Sequence, residues 1–94
     1  MDLNNKQHQV LASIFINPIP STILWRDIEN LFRTLGADVR QGQGSRVRVK
    51  LNDVKAVFHQ PHPEKEIDKG AVKSVREFLI KAGFEPETLV NDDE

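Results

Sequence analysis

With 94 residues, 38% of them hydrophobic and 29% charged, the chain has room for one small domain with a single core and is too apolar to be a disordered segment. It has no cysteine, which excludes a disulfide framework, a thiolate metal site and a cysteine nucleophile. Its apolar runs are too short for a membrane span and its N-terminus is too polar for a signal peptide, so no membrane association and a cytoplasmic setting are expected.

The net charge of −1 conceals a division. Residues 85–94 hold five acids and no base, which leaves nine acids against thirteen bases, about +4, for residues 1–84. An acidic terminus of this kind is either a solvated end or a device that screens a basic site or binds a partner.

In chain order, Asn4 to Phe15 reads as a helix with Val10, Leu11, Ile14 and Phe15 at helical spacing. It stops at "NPIP", where two prolines forbid helical continuation. Thr22 to Leu35 reads as a second helix, its stripe formed by Leu24, Trp25, Ile28, Leu31, Phe32 and Leu35, with Gly36 suited to the C-terminal cap. Trp25 reads as a core anchor, or alternatively as a base-stacking ring. Three strands follow: Ala37 to Gln41, Ser45 to Leu51 and Val54 to Gln60, with Gly42 and Gly44 in the first turn and Asn52-Asp53 as a two-residue hairpin loop. Lys69 to Ala82 reads as the last helix, N-capped by Asp68 and ended by Gly83, with Val72, Val75, Phe78, Leu79 and Ala82 facing the core. The order α–α–β–β–β–α implies an α+β fold with a three-stranded antiparallel sheet covered on one face by helices. Residues 1–20 are expected to be an extension helix with a proline linker, 21–84 the domain proper, and 85–94 an acidic tail.

A two-residue loop allows the hairpin to be counted out. Leu51 then faces Val54, Lys50 faces Lys55, Arg48 faces Val57 and Arg46 faces His59. Val47, Val49, Leu51, Val54, Ala56 and Phe58 share the core face, while Arg46, Arg48, Lys50, Lys55 and His59 share the other. Opposed lysines repel, and a phosphate between them would relieve the repulsion. The plainer alternative is a solvated strand face. In "HQPHPEKE", His59 and His62 have a spacing seen in metal sites, but zinc takes three or four protein ligands and the only other histidine is His8. No metal and no cofactor are therefore expected. Prolines on both sides of His62 point to a stiff loop presenting an imidazole, the natural group for moving a proton to or from a ribose 2′-hydroxyl. On the last helix Lys69, Lys73 and Arg76 recur at i, i+4 and i+7, a face able to seat phosphate or simply a solvated one. No phosphate loop, nucleophile elbow or dinucleotide fingerprint is present.

"GSRVRVKL" and "HQPHPEKEIDKGAVKSVREFLIKAGF" resemble the HicA toxins of bacterial toxin–antitoxin systems. The matching residues are Gly44-Ser45, Pro61, His62, Lys65-Glu66, Gly70, Val75 and Ala82-Gly83, with "WRDIENLFRTLGA" resembling the first helix of the family. The resemblance spans about Thr22 to Phe84. It implies a fold like the double-stranded RNA-binding domain, metal-independent mRNA cleavage, and a HicB-like antitoxin that covers the site. RNA recognition through shape and phosphate contacts suits the cationic face. The family's histidine after Gly-Ser is here Arg46, which binds phosphate but does not shuttle protons at neutral pH. The acid/base role then falls to His59 or His62, with Gly44, Ser45, Arg46, Arg48, Lys50, Lys55, Lys69 and Lys73 holding RNA. The alternative is a domain of the same fold that binds RNA or a partner without cutting. The apolar stripe of the first helix requires burial, against this domain or across a homodimer interface.

Overall fold

The computed structural model describes residues 3–62 and 64–84. The expectations for the acidic tail and for Pro63 lie outside them. Three helices and three strands follow in the order α1 (Asn5–Phe15), α2 (Trp25–Thr34), β1 (Asp38–Gln41), β2 (Arg46–Leu51), β3 (Val54–His59) and α3 (Lys69–Lys81). The expected α–α–β–β–β–α order of an α+β domain is observed. The strands form one antiparallel sheet in the order β1-β2-β3, so β3 is an edge strand.

Local chemistry sets most boundaries. Asn4 caps α1 by a reciprocal pair of hydrogen bonds with Gln7, each backbone N–H donating to the other's side chain. Asp68 Oδ1 accepts the Ala71 N–H at 2.7 Å and starts α3. Gly36 and Gly83, at φ of 98° and 97°, leave α2 and α3 through backbone that side chains rarely adopt. Asn52 and Asp53, at φ of 52° and 68°, form the two-residue hairpin loop in left-handed backbone.

One boundary differs from expectation by more than a single residue. The second helix begins at Trp25 rather than Thr22 because residues 23 and 24 are extended and pair with the segment before α3. Leu24 bridges Glu66, Ile67 N–H donates to the Ile23 carbonyl at 2.9 Å, and Trp25 N–H donates to the Lys65 carbonyl at 3.3 Å. Helical periodicity cannot register a pairing across forty residues of chain.

The core lies between the inner sheet face and the helices. Val47, Val49 and Leu51 of β2 and Phe58 of β3 are buried there, with Val54 and Ala56 half-buried beside them. Trp25, Phe32, Phe58 and Phe78 form an aromatic cluster whose neighbouring ring centroids lie 5.5–6.5 Å apart. Trp25 is only 2% exposed and its Nε1–H donates to Glu29 Oε1, so its ring serves the core and is not a stacking platform. Val10, Leu11 and Ile14 of α1 are buried in the same core, against α2 and α3. Of the two alternatives for this stripe, burial against the chain's own domain is the one observed. No helix among the described residues is long and apolar enough to cross a membrane.

Candidate nucleic-acid interface

Strand alternation divides the sheet into a buried face and a charged one. The observed β2–β3 register is the counted one, from Leu51 opposite Val54 to Arg46 opposite His59. Gln60 N–H donates to the Ser45 carbonyl at 2.6 Å, which fixes the hydrogen-bonding parity of the ladder. Phe58, Ala56 and Val54 therefore bond toward β2, and the peptide groups of Lys55, Val57 and His59 point to the free edge. By the same parity, Lys50–Lys55 and Arg46–His59 are pairs without direct hydrogen bonds, in which side chains approach most closely, with Cα atoms about 4.5 Å apart.

Pairing with β1 widens the charged face. Asp38 lies opposite Lys50, and Arg40 opposite Arg48. Three rows cross the outer surface: Asp38–Lys50–Lys55, Arg40–Arg48–Val57 and Arg46–His59. Arg40 Nε holds both Asp38 carboxylate oxygens, at 3.2 and 3.1 Å, so the one acid of the face is engaged on its own strand. Arg46, Arg48, Lys50 and Lys55 are exposed and make no ion pair among the described residues. Arg40 and Val57 escaped the sequence reading. Val57 was visible in the alternation, opposite Arg48, but an apolar residue on a cationic face attracts no notice; it is 58% exposed. Arg40 needed the β1–β2 register, which the four-residue turn from Gly42 to Ser45 does not announce as a two-residue loop does.

The turn itself is ordered by backbone. Gly42 N–H donates to the Arg46 carbonyl at 2.8 Å and Arg46 N–H to the Gln43 carbonyl at 3.2 Å. Gly44 sits at φ of 64°, where a side chain would be strained. Gly44 and Ser45 thus stand beside Arg46 at the end of the sheet that also carries His59.

The two histidines are placed differently. His59, exposed at the end of β3, has an imidazole with no hydrogen bond among the described residues. It opens onto a groove between β3 and the start of α3, whose walls include Pro61, Glu66, Asp68, Gly70 and Ser74. His62 lies in the loop, and its Nδ1 accepts the Glu64 N–H in a long contact of 3.4 Å. Its carbonyl accepts Lys65 N–H at 2.8 Å, and buried Ile67 ties the end of this loop to the start of α2. The His62 position is therefore held by hydrogen bonds within the loop.

The last helix does not join the cationic face. Lys69 and Lys73 are exposed on α3, which packs on the opposite, buried side of the sheet. Arg76, on the same stripe, is no phosphate ligand: Nε donates to the Ile14 carbonyl at 2.8 Å, Nη2 to the Ile16 carbonyl at 3.1 Å and Nη1 to Asn17 Oδ1 at 3.3 Å. It closes the C-terminus of α1. No three His, Asp or Glu side chains among the described residues come together as a metal site would need.

Comparison with known proteins gives one match. The family model described as HicA toxin of bacterial toxin-antitoxin covers residues 25–84, from the first residue of α2 to the last described core residue. No curated protein and no solved structure matches.

Proposed function

The chain belongs to the HicA toxin family of bacterial toxin–antitoxin systems, and from that premise we propose that it binds RNA across the outer face of the sheet and cleaves it. Membership brings an antitoxin as partner. The observation that carries the RNA reading is the set of four exposed cations, Arg46, Arg48, Lys50 and Lys55, on one sheet face without a carboxylate partner among the described residues. Phosphates spaced along a strand of RNA would lie over these rows and relieve the Lys50–Lys55 repulsion.

Cleavage is assigned to the end of the face where Arg46 and His59 form a close cross-strand pair. The neutral His59 imidazole takes the proton of a ribose 2′-hydroxyl, whose oxygen attacks the adjacent phosphorus. Arg46 holds the phosphoryl oxygens as negative charge builds there. The bond to the 5′-oxygen breaks, that oxygen takes a proton through solvent as His59 releases the one it accepted, and a 2′,3′-cyclic phosphate remains. This chemistry uses no metal and no cofactor. A HicB-like antitoxin would neutralise the protein by covering the same face.

Replacing His59 by Ala tests the assignment: RNA cleavage and growth inhibition on induced expression should fall at least 100-fold, with RNA affinity kept within about threefold. Full toxicity in that variant would remove His59 from the mechanism, and His62→Ala would then identify the remaining imidazole. A second reading, RNA binding without cutting, is favoured by one specific observation: the position after Gly44-Ser45 is Arg46, not the histidine of the family. It expects salt-sensitive RNA binding with no product at any protein concentration.

A further inference from the structure

Residues 85–94 carry Glu85, Glu87, Asp92, Asp93 and Glu94 and no base, and nothing in the proposed function uses them. The end of α3 decides where they leave the body. Phe84 is buried, and Asn52 Nδ2 of the β2–β3 loop donates to the Ala82 carbonyl at 2.9 Å. The chain therefore departs beside the hairpin tip, and the first cations of the outer face beyond that tip are Lys50 and Lys55.

We propose that the acidic segment 85–94 docks on its own cationic sheet face and competes there with RNA. Three observations support this occupant over others. Reach is sufficient: ten residues span up to about 33 Å extended, against about 20 Å for a six-residue strand. Charge is complementary, since five acids meet Arg46, Arg48, Lys50 and Lys55, with Arg40 already held by Asp38. The order along the segment also fits. Glu85 and Glu87 come first, nearest Lys50 and Lys55; Leu89 and Val90 follow, where the face offers exposed Val57; and Asp92 to Glu94 come last, toward Arg46. Because the segment is tethered, even weak docking operates at an effective concentration in the millimolar range. The competition clause rests on the RNA reading; the docking clause does not.

The absence of cysteine makes the test clean. A Thr88→Cys variant of the full chain, carrying a nitroxide label, should broaden the backbone amide signals of Arg48, Lys50, Lys55 and Val57 at about 20 mM salt and spare those of α1. Raising salt to about 0.5 M, where the screening length falls below about 5 Å, should restore them. Broadening confined to residues 81–84, or independent of salt, would overturn docking. Broadening that appears only when labelled protein is mixed with an isotopically enriched unlabelled copy would assign the segment to a second molecule and overturn the intramolecular proposal. A 20-nucleotide single-stranded oligoribonucleotide then separates the two clauses. If it binds and restores the signals, competition holds; if it binds without restoring them, competition fails. If it does not bind while salt-sensitive broadening persists, docking stands and the RNA reading fails. In the same assay, neutralising all five acids to Gln or Asn should tighten oligoribonucleotide binding about three- to tenfold at low salt, with the gain vanishing at high salt.

Discussion

Arg48 and Arg76 are the same residue put to opposite uses. Arg76 saturates the carbonyls of Ile14 and Ile16 at the end of α1, with Phe15 6.0 Å from its guanidinium carbon. Arg76→Ala should cost about 1.5–3 kcal/mol in a urea titration, since it strands acceptors that a planar fork had reached together. Arg76→Lys should recover only part of that loss, and RNA affinity should not change in either. Arg48 stands on the open face with no partner among the described residues. Arg48→Ala should leave the melting curve in place and lower the slope of log affinity against log salt by about one. The sequence placed Arg76 with Lys69 and Lys73 because helical period reports which residues share a stripe. It does not report what lies across from the stripe, and here that is another helix end.

The β2–β3 hairpin is the element in which stability and the proposed RNA binding pull apart. Lys50 and Lys55 occupy a close-approach pair, where like charges destabilise by up to about 1 kcal/mol. Lys55→Glu should therefore raise the urea midpoint while weakening oligoribonucleotide binding several-fold; a variant that lost stability would show that the repulsion is not felt. This register was legible from the sequence because Asn52 and Asp53 tolerate left-handed backbone, and a two-residue loop permits one pairing only. The start of α2 was not legible, because residues 23 and 24 answer to the backbone of residues 65–67. The Arg46–His59 pair could be counted from the hairpin, whereas the groove beside His59 depends on α3 and could not.

Over the whole molecule, the HicA match begins at Trp25, yet the core begins earlier. Ile14 is fully buried against α2 and α3, so Ile14→Ala should cost about 2–5 kcal/mol, read by thermal and urea unfolding, although it lies outside the matched region. The charged sheet face has a last consequence, for the behaviour of many copies in one solution. The edge of β3 presents the peptide groups of Lys55, Val57 and His59, unpaired among the described residues, with an exposed valine in the middle. Such an edge is a template on which a neighbouring chain can stack its own strand, and a lysine on it is a common guard against that stacking. Lys55→Val should therefore turn a clear solution into one that scatters light as concentration rises. The ammonium group proposed to grip a phosphate would also be what keeps the protein from polymerising with itself.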